Sequence, residues 1–323
     1  MRRTSTVLAM LTAVFCSACG GTGTESAPAD DGSVSLGFVQ VGSDGAWHRA
    51  NTRSIVQAAA TAGVALDVRD DGRTQEQQIA DLRDLIARGV DVLALSPVVE
   101  SGWDGVLQQA KDAGIPVILT DRAVDTTDTS LYVSALGSDF TAQGRKAGEW
   151  MVGRFRDTTG PVKVVEIEGT TGSAAANGRL AGFHTAIKAA PHLEVIASRD
   201  GDFSREGGQK VMAGFLTKYP DIDAVYAHND EEGIGAVAAI EAAGKKPGKD
   251  IALVTVDASR DGLTALAAGK LDFVVECNPL FGPQLLDLVA KAAAGETTPR
   301  HVPVTETVFD AEAARKALPT REY

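Results

Sequence analysis

Polar residues in this 323-residue chain gather in short clusters, each behind a run rich in β-branched residues. Gly42, Ser43, Asp44, Gly45, Ala46, Trp47 and His48 follow the first run; Asp70-Asp71, Ser96-Pro97 and Asp121-Arg122 come next. Further on stand residues 169–173, then Asp200-Gly201-Asp202-Phe203, His228-Asn229-Asp230 and Asp257. A carboxylate accepts hydrogen bonds from two neighbouring hydroxyls, and a guanidinium donates in a fixed fork. Trp47 and Phe203 offer flat apolar faces that suit the C–H side of a polyhydroxylated ring. Simpler roles compete for each residue. Asp and Asn at strand ends often cap the next helix, and Trp47 alone would fit a core. Asp139 reads as a cap, Trp103 as packing at a helix start, and Arg73, Arg83 and Arg88 as a solvated helical face. Capping does not account for Trp47, Arg122 and Phe203.

Motifs for covalent chemistry are missing or fail. Gly233-Ile234-Gly235-Ala236-Val237-Ala238 has dinucleotide-binding spacing, but Asp230, Glu231 and Glu232 would face the pyrophosphate. Residues 169–173 lack the Lys-Ser/Thr ending of a phosphate loop, and there is no Gly-x-Ser-x-Gly elbow. His48, His184, His192, His228 and His301 have no metal-ligand spacing. The expectation is a binder without turnover, cofactor or metal.

The elements that must position these residues alternate. Residues 34–41, 90–95, 117–120, 162–167, 224–226 and 251–256 read as buried parallel strands. Residues 75–88, 140–155, 174–189, 206–218, 231–243 and 281–294 have helical period, with Gly89 a C-cap after the first. Roughly ten strands are too many for one small open sheet, so two sheets flanked by helices are predicted. Residues 131–138 follow 122–129 with no helix between, which marks a passage from one sheet to the other. In such α/β folds, ligands sit beyond the carboxyl ends of the strands, where the polar clusters lie.

Composition narrows the class. A net charge of −12 with 44% hydrophobic residues describes a folded acidic chain of about two domains. No basic patch suits a nucleic-acid backbone, so nucleic acid is excluded as a partner. At the N-terminus, Arg2-Arg3, an apolar stretch at 7–15 and Ser17-Ala18 precede Cys19. This reads as a signal over residues 1–18. It resembles a lipoprotein signal in which Cys19 is acylated, although Cys16 stands where that pattern prefers Leu. Cleavage near Ala18 without lipid is the alternative. Residues 19–33 would be a flexible tether, and Cys277 is then left alone, with no disulfide framework.

Several runs together resemble the type I periplasmic sugar-binding proteins, solute-capturing subunits of bacterial ABC importers. They are residues 37–43 with Trp47, 89–99, 119–122, 168–173, 201–205, 226–230 and 246–251. The order is most similar to that of galactofuranose-binding proteins, with ribose-binding proteins also similar. The resemblance implies two Rossmann-like lobes joined by three crossings, near Gly137, Cys277 and Thr305. One lobe would comprise residues 34–136 and 278–304, the other 137–277 and 305–323. It further implies that Asp44, Trp47, His48, Asp121, Arg122, Arg179, Asn229 and Asp257 contact a monosaccharide and that Phe203 stacks on it. Ser43, Ser96 and Cys277 are further pocket candidates. His48 replaces an Arg of the galactofuranose binders, and Cys277 replaces a Gln common among relatives.

The implied protein is an extracytoplasmic, lipid-anchored monomer that delivers galactofuranose, or else galactose, arabinose or another aldose, to ABC permease subunits. A sugar or autoinducer sensor without transport is an alternative, as is a transcriptional regulator lacking its DNA-binding domain.

Overall fold

The computed structural model describes residues 33–42, 45–72 and 74–323. The signal-like segment with Cys16, the tether with Cys19, and Ser43, Asp44 and Arg73 lie outside the described residues.

The chain first lays down β1 (Ser35–Val39), α1 (Ala46–Ala62), β2 (Ala65–Arg69), α2 (Gln75–Arg88) and β3 (Val92–Leu95). Next come α3 (Asp104–Asp112), β4 (Val117–Thr120) and β5 (Ser134–Gly137). The middle of the chain supplies α4 (Phe140–Phe155), β6 (Val162–Glu168), α5 (Ala174–Ile187), β7 (Leu193–Asp200) and α6 (Arg205–Lys218). It continues with β8 (Ala224–Ala227), α7 (Asp230–Ala242), β9 (Ala252–Asp257), α8 (Arg260–Ala267) and β10 (Phe273–Glu276). The chain ends with α9 (Gly282–Ala293), β11 (His301–Pro303), β12 (Val308–Phe309) and α10 (Ala311–Ala317).

Two six-stranded sheets result, ordered β11-β5-β4-β3-β1-β2 and β12-β10-β9-β8-β6-β7. Every pairing is parallel except β10 with β12. In both sheets the order reverses beside the first-formed strand, β1 or β6, which opens a crevice at the strands' carboxyl ends. The chain changes sheet three times, between Gly137 and Phe140, between Glu276 and Gly282, and between Pro303 and Val308.

Central strands are buried on both faces, as helical cover on both sides requires. Leu36 and Phe38 of β1 join a core with Ile55 of α1 and Leu285 of α9, while Val39 joins Leu82 and Leu85 of α2. In the second sheet, Val164 and Tyr226 meet Phe183 of α5, and Val165 and Val225 meet Met212 of α6. Helix boundaries follow local chemistry. Thr74 caps α2 by accepting from the Gln77 N–H, and Gly89 closes it at φ 70°. Asp139, Ser173, Ser204, Asn229, Ser259 and Asp310 cap α4, α5, α6, α7, α8 and α10 in the same way.

The predicted helices 75–88 and 140–155 and the strand 117–120 have their observed bounds. Two readings are corrected. Among the described residues twelve strands form rather than about ten, because β11 and β12 are short edge strands with little apolar signal. Residues 46–48, grouped with the polar cluster behind the first strand, are not loop but the first turn of α1.

Candidate functional site

The carboxyl ends of both sets of strands face one cavity, which encloses about 500 Å³ of empty space, part of it open to solvent. From the first sheet's side it is lined by Trp47 and His48 on α1 and by Asp121 and Arg122 after β4. From the other side come Phe140 on α4, Arg179 on α5, Phe203 after β7, Asn229 before α7 and Asp257 ending β9. Cys277, on the second passage between sheets, completes the wall.

Two buried guanidinium groups dominate the electrostatics. Arg179 is held at three points: Nε donates to Gln143 Oε1 (2.9 Å), Nη1 donates to the His228 carbonyl (2.6 Å), and Nη2 lies 3.7 Å from Asp257 Oδ1. Arg122 Nη1 donates to the Val98 carbonyl (3.2 Å), and its Nε lies 3.6 Å from Asp121 Oδ2. Arg122 Nε has no hydrogen-bond partner among the described residues. The ring of Phe203 lies under both groups, with centroid distances of 5.4 Å to Arg122 and 5.7 Å to Arg179. A flat apolar ring held between forks that still have donors to offer suits a ligand with one C–H face and several hydroxyls.

Burial tunes the acids. It raises Asp121 from 3.8 to about 6, with Arg122 and Arg179 pulling the other way. Asp257 is also pushed well above the carboxylate range by burial, against the pull of Arg179. His48 moves down to about 3, chiefly through burial and then through Arg122, so its imidazole is neutral at physiological pH. Its Nε2 is sealed from solvent and has no partner among the described residues, although the residue as a whole is partly exposed. These are polar atoms held without protein partners at the wall of a cavity, an arrangement that a ligand's hydroxyls would satisfy.

Backbone strain marks the same place. Among the described residues, the non-glycine positions with positive φ are Asp121, Asp202, Phe203, Asp257 and Ala258. All five follow or end strands at the cavity. Such conformations cost about 1–3 kcal/mol each and cluster at functional sites.

The structure brings together Trp47, His48, Asp121, Arg122, Arg179, Phe203, Asn229, Asp257 and Cys277; Asp44 and Ser43 are outside the described residues. Ser96 stands behind the wall, its hydroxyl 3.5 Å from Asp121 Oδ2. Asn229 lines the cavity, but its side chain is engaged: Oδ1 accepts from the Glu232 N–H and Nδ2 donates to the Phe203 carbonyl. Asp139 and Trp103 take the capping and packing roles read for them, and Arg83 and Arg88 are exposed. Gly233 and Gly235 lie inside α7, where they admit Thr255 and the Arg205 backbone, not at a helix start that could hold a pyrophosphate. Phe140 and Ser259 were missed. Phe140 opens the helix that Asp139 caps, which was the available signal.

A model of the periplasmic binding protein domain matches residues 36–297. The chain belongs to the periplasmic binding protein family. Its two-lobe α/β architecture is that of the type I members. This family member is 38% identical over 290 residues to the galactofuranose-binding protein YtfQ of Escherichia coli K12, across 88% of this chain and 90% of the relative. A Mycobacterium smegmatis protein solved in complex with β-D-fucofuranose superposes with a TM-score of 0.89 at 53% identity, covering 90% of this chain and 96% of that one. The binding component of the arabinose ABC transporter of Shewanella sp. ANA-3, bound to α- and β-L-arabinofuranose, gives 0.85 at 37% identity, covering 90% and 96%.

Proposed function

We propose that this periplasmic binding protein is the extracytoplasmic solute-capturing subunit of an ABC importer and that it binds a monosaccharide in its five-membered ring form. The observation that carries the reading is the cavity itself, where the Phe203 face, the Arg122 and Arg179 forks and the Asp121 and Asp257 carboxylates converge. The relatives' ligands support the furanose ring: galactofuranose, fucofuranose and arabinofuranose. D-Galactofuranose, D-fucofuranose and L-arabinofuranose share one ring configuration and differ in the exocyclic tail. Galactofuranose is the preferred ligand in this reading, with arabinose, galactose and other aldoses next.

Residues 34–136 and 278–304 act as one lobe and residues 137–277 and 305–323 as the other, and they close on the sugar about the three crossings. Closure presents both lobes to the permease in one orientation. Cys19 anchors the monomer to the membrane surface through lipid.

Titration calorimetry of the mature chain against D-galactose, D-fucose, L-arabinose and D-ribose, with methyl furanosides and pyranosides of each, tests the reading. The expected result is binding at a Kd of about 1 μM or tighter for a sugar that presents this furanose ring. Absence of binding to every aldose overturns it.

A further inference from the structure

The three passages between the sheets meet at one side-chain cluster, and a buried amide links that cluster to Arg179 at the cavity. Ser138 lies on the first passage, Cys277 on the second and Glu306 on the third. The Ser138 hydroxyl donates to Glu306 Oε1 and stands 3.6 Å from Cys277 Sγ. Gln143, in the first turn of α4 and fully buried, donates through Nε2 to both Glu306 oxygens at 3.0 Å. On its other side Gln143 Oε1 accepts from Arg179 Nε at 2.9 Å. Close approach of two helices makes this reach possible. A Cβ on Gly144 would lie 2.0 Å from the Arg179 carbonyl oxygen, so the backbones of α4 and α5 touch there.

We propose that Glu306 and Gln143 form a directional hydrogen-bond relay that positions Arg179 for the ligand and ties its placement to the hinge. Glu306 is a positioning residue that acts through Gln143. The proposal rests on the reading of Arg179 as a ligand contact. Direction follows from donor and acceptor chemistry. Arg179 Nε only donates and the Glu306 carboxylate only accepts, so the carboxamide between them has one satisfactory orientation. An amide at position 306 keeps one of the two acceptors and turns the other into a donor, which opposes that orientation. Because both Glu306 oxygens are 3.0 Å from Gln143 Nε2, either rotamer of a Gln there sets one NH₂ against another. Turning Gln143 over to escape would put its NH₂ against the Arg179 Nε–H, now 2.9 Å from its oxygen. The mismatch is thereby passed to the guanidinium in the cavity.

The test is a reciprocal exchange. Glu306→Gln, Gln143→Glu and the double variant are titrated with L-arabinose, D-fucose and D-galactose, with thermal midpoints recorded alongside. The double variant restores an acceptor for Arg179 Nε at 143 and a donor toward it at 306. Expected is a loss of about tenfold to a hundredfold in affinity for Glu306→Gln, and recovery to within about threefold in the double variant. Wild-type affinity in Glu306→Gln, or a double variant as weak as the singles combined, overturns the proposal. Where one single variant does not fold, the double is judged against the other single by the same criterion. A ligand-independent readout is the ¹⁵N–¹H signal of Arg179 Nε, assigned with Arg179→Lys. It should exchange slowly in the wild type and the double variant and faster in Glu306→Gln. Unchanged exchange in Glu306→Gln overturns the relay even if no sugar binds, whereas sugar silence with the expected exchange pattern overturns only the ligand reading.

Discussion

Asp121 carries a charge that the fold disfavours and that a sugar bound as proposed would favour. Its side chain is only 7% exposed, and burial raises its carboxyl from 3.8 to about 6 despite the guanidinium 3.6 Å away. A group whose folded pKa lies above its unfolded value holds more protons in the native state across that interval. Unfolding free energy therefore falls as pH rises from about 3.8 to 6, by about 1.4 kcal/mol per pH unit, or about 3 kcal/mol in all. Asp121→Asn removes this slope. Asp257 and Glu306 are also raised by burial and contribute slopes of the same sign in both proteins. The informative quantity is thus the wild-type minus Asp121→Asn difference. Urea denaturation of the sugar-free proteins at pH 4.5 and 7.5 should show the wild type losing about 2 kcal/mol more than the variant, the part of the interval that the window samples. Hydroxyl donors on the carboxylate favour its charged form. Wild-type sugar affinity should accordingly increase between pH 5 and 7, and the rise should be smaller in Asp121→Asn, which binds weakly and keeps only the Asp257 contribution. A stability difference constant to within about 0.5 kcal/mol across the window would refute the reasoning.

Three further outcomes are expected. At Gly169 a Cβ would lie 1.9 Å from the Phe203 ring, so Gly169→Ala should push that ring off its seat and weaken sugar binding by about tenfold; unchanged calorimetry removes Phe203 as the platform. Trp47→Phe loses the indole donor to the Cys277 carbonyl (2.8 Å) and leaves that buried oxygen unpaired, a loss of about 1–3 kcal/mol in denaturant unfolding. The His48 imidazole, held down to about 3, should keep neutral ¹⁵N shifts from pH 5 to 8, and a titration in that range would contradict its burial beside Arg122.

The sequence made the alternation of strands and helices visible because buried parallel strands are continuous apolar runs and their helices carry caps and glycine stops. Helix α2, with Thr74 before it and Gly89 after it, shows this in both bounds. β2 has no continuous apolar run, because Asp67 and Arg69 alternate with apolar residues and pair with each other at 2.8 Å on an edge strand. At the site, residue type separated Trp47, Arg122 and Phe203 from caps, since none of them can cap a helix with a side-chain oxygen. For Asn229 the same logic failed, because an amide suits capping and ligand contact equally, and here it caps α7. Gln143 and Glu306 could not be found from spacing. They are 163 positions apart, and Gln143 is 36 from Arg179, so only the packing of α4 on α5 and the third passage brings them together.

The late position of β11 governs when this molecule can become itself. The sheet begun at Ser35 is sealed along the β5 edge only by residues 301–303, far later in the chain. α9, which covers α1, is also made late. A nascent chain that stops short of β11 therefore carries an open strand edge on the first sheet. Pairings so distant in sequence form slowly. A chain exported in unfolded form would gain time from this delay, remaining threadable until its last strands emerge on the far side.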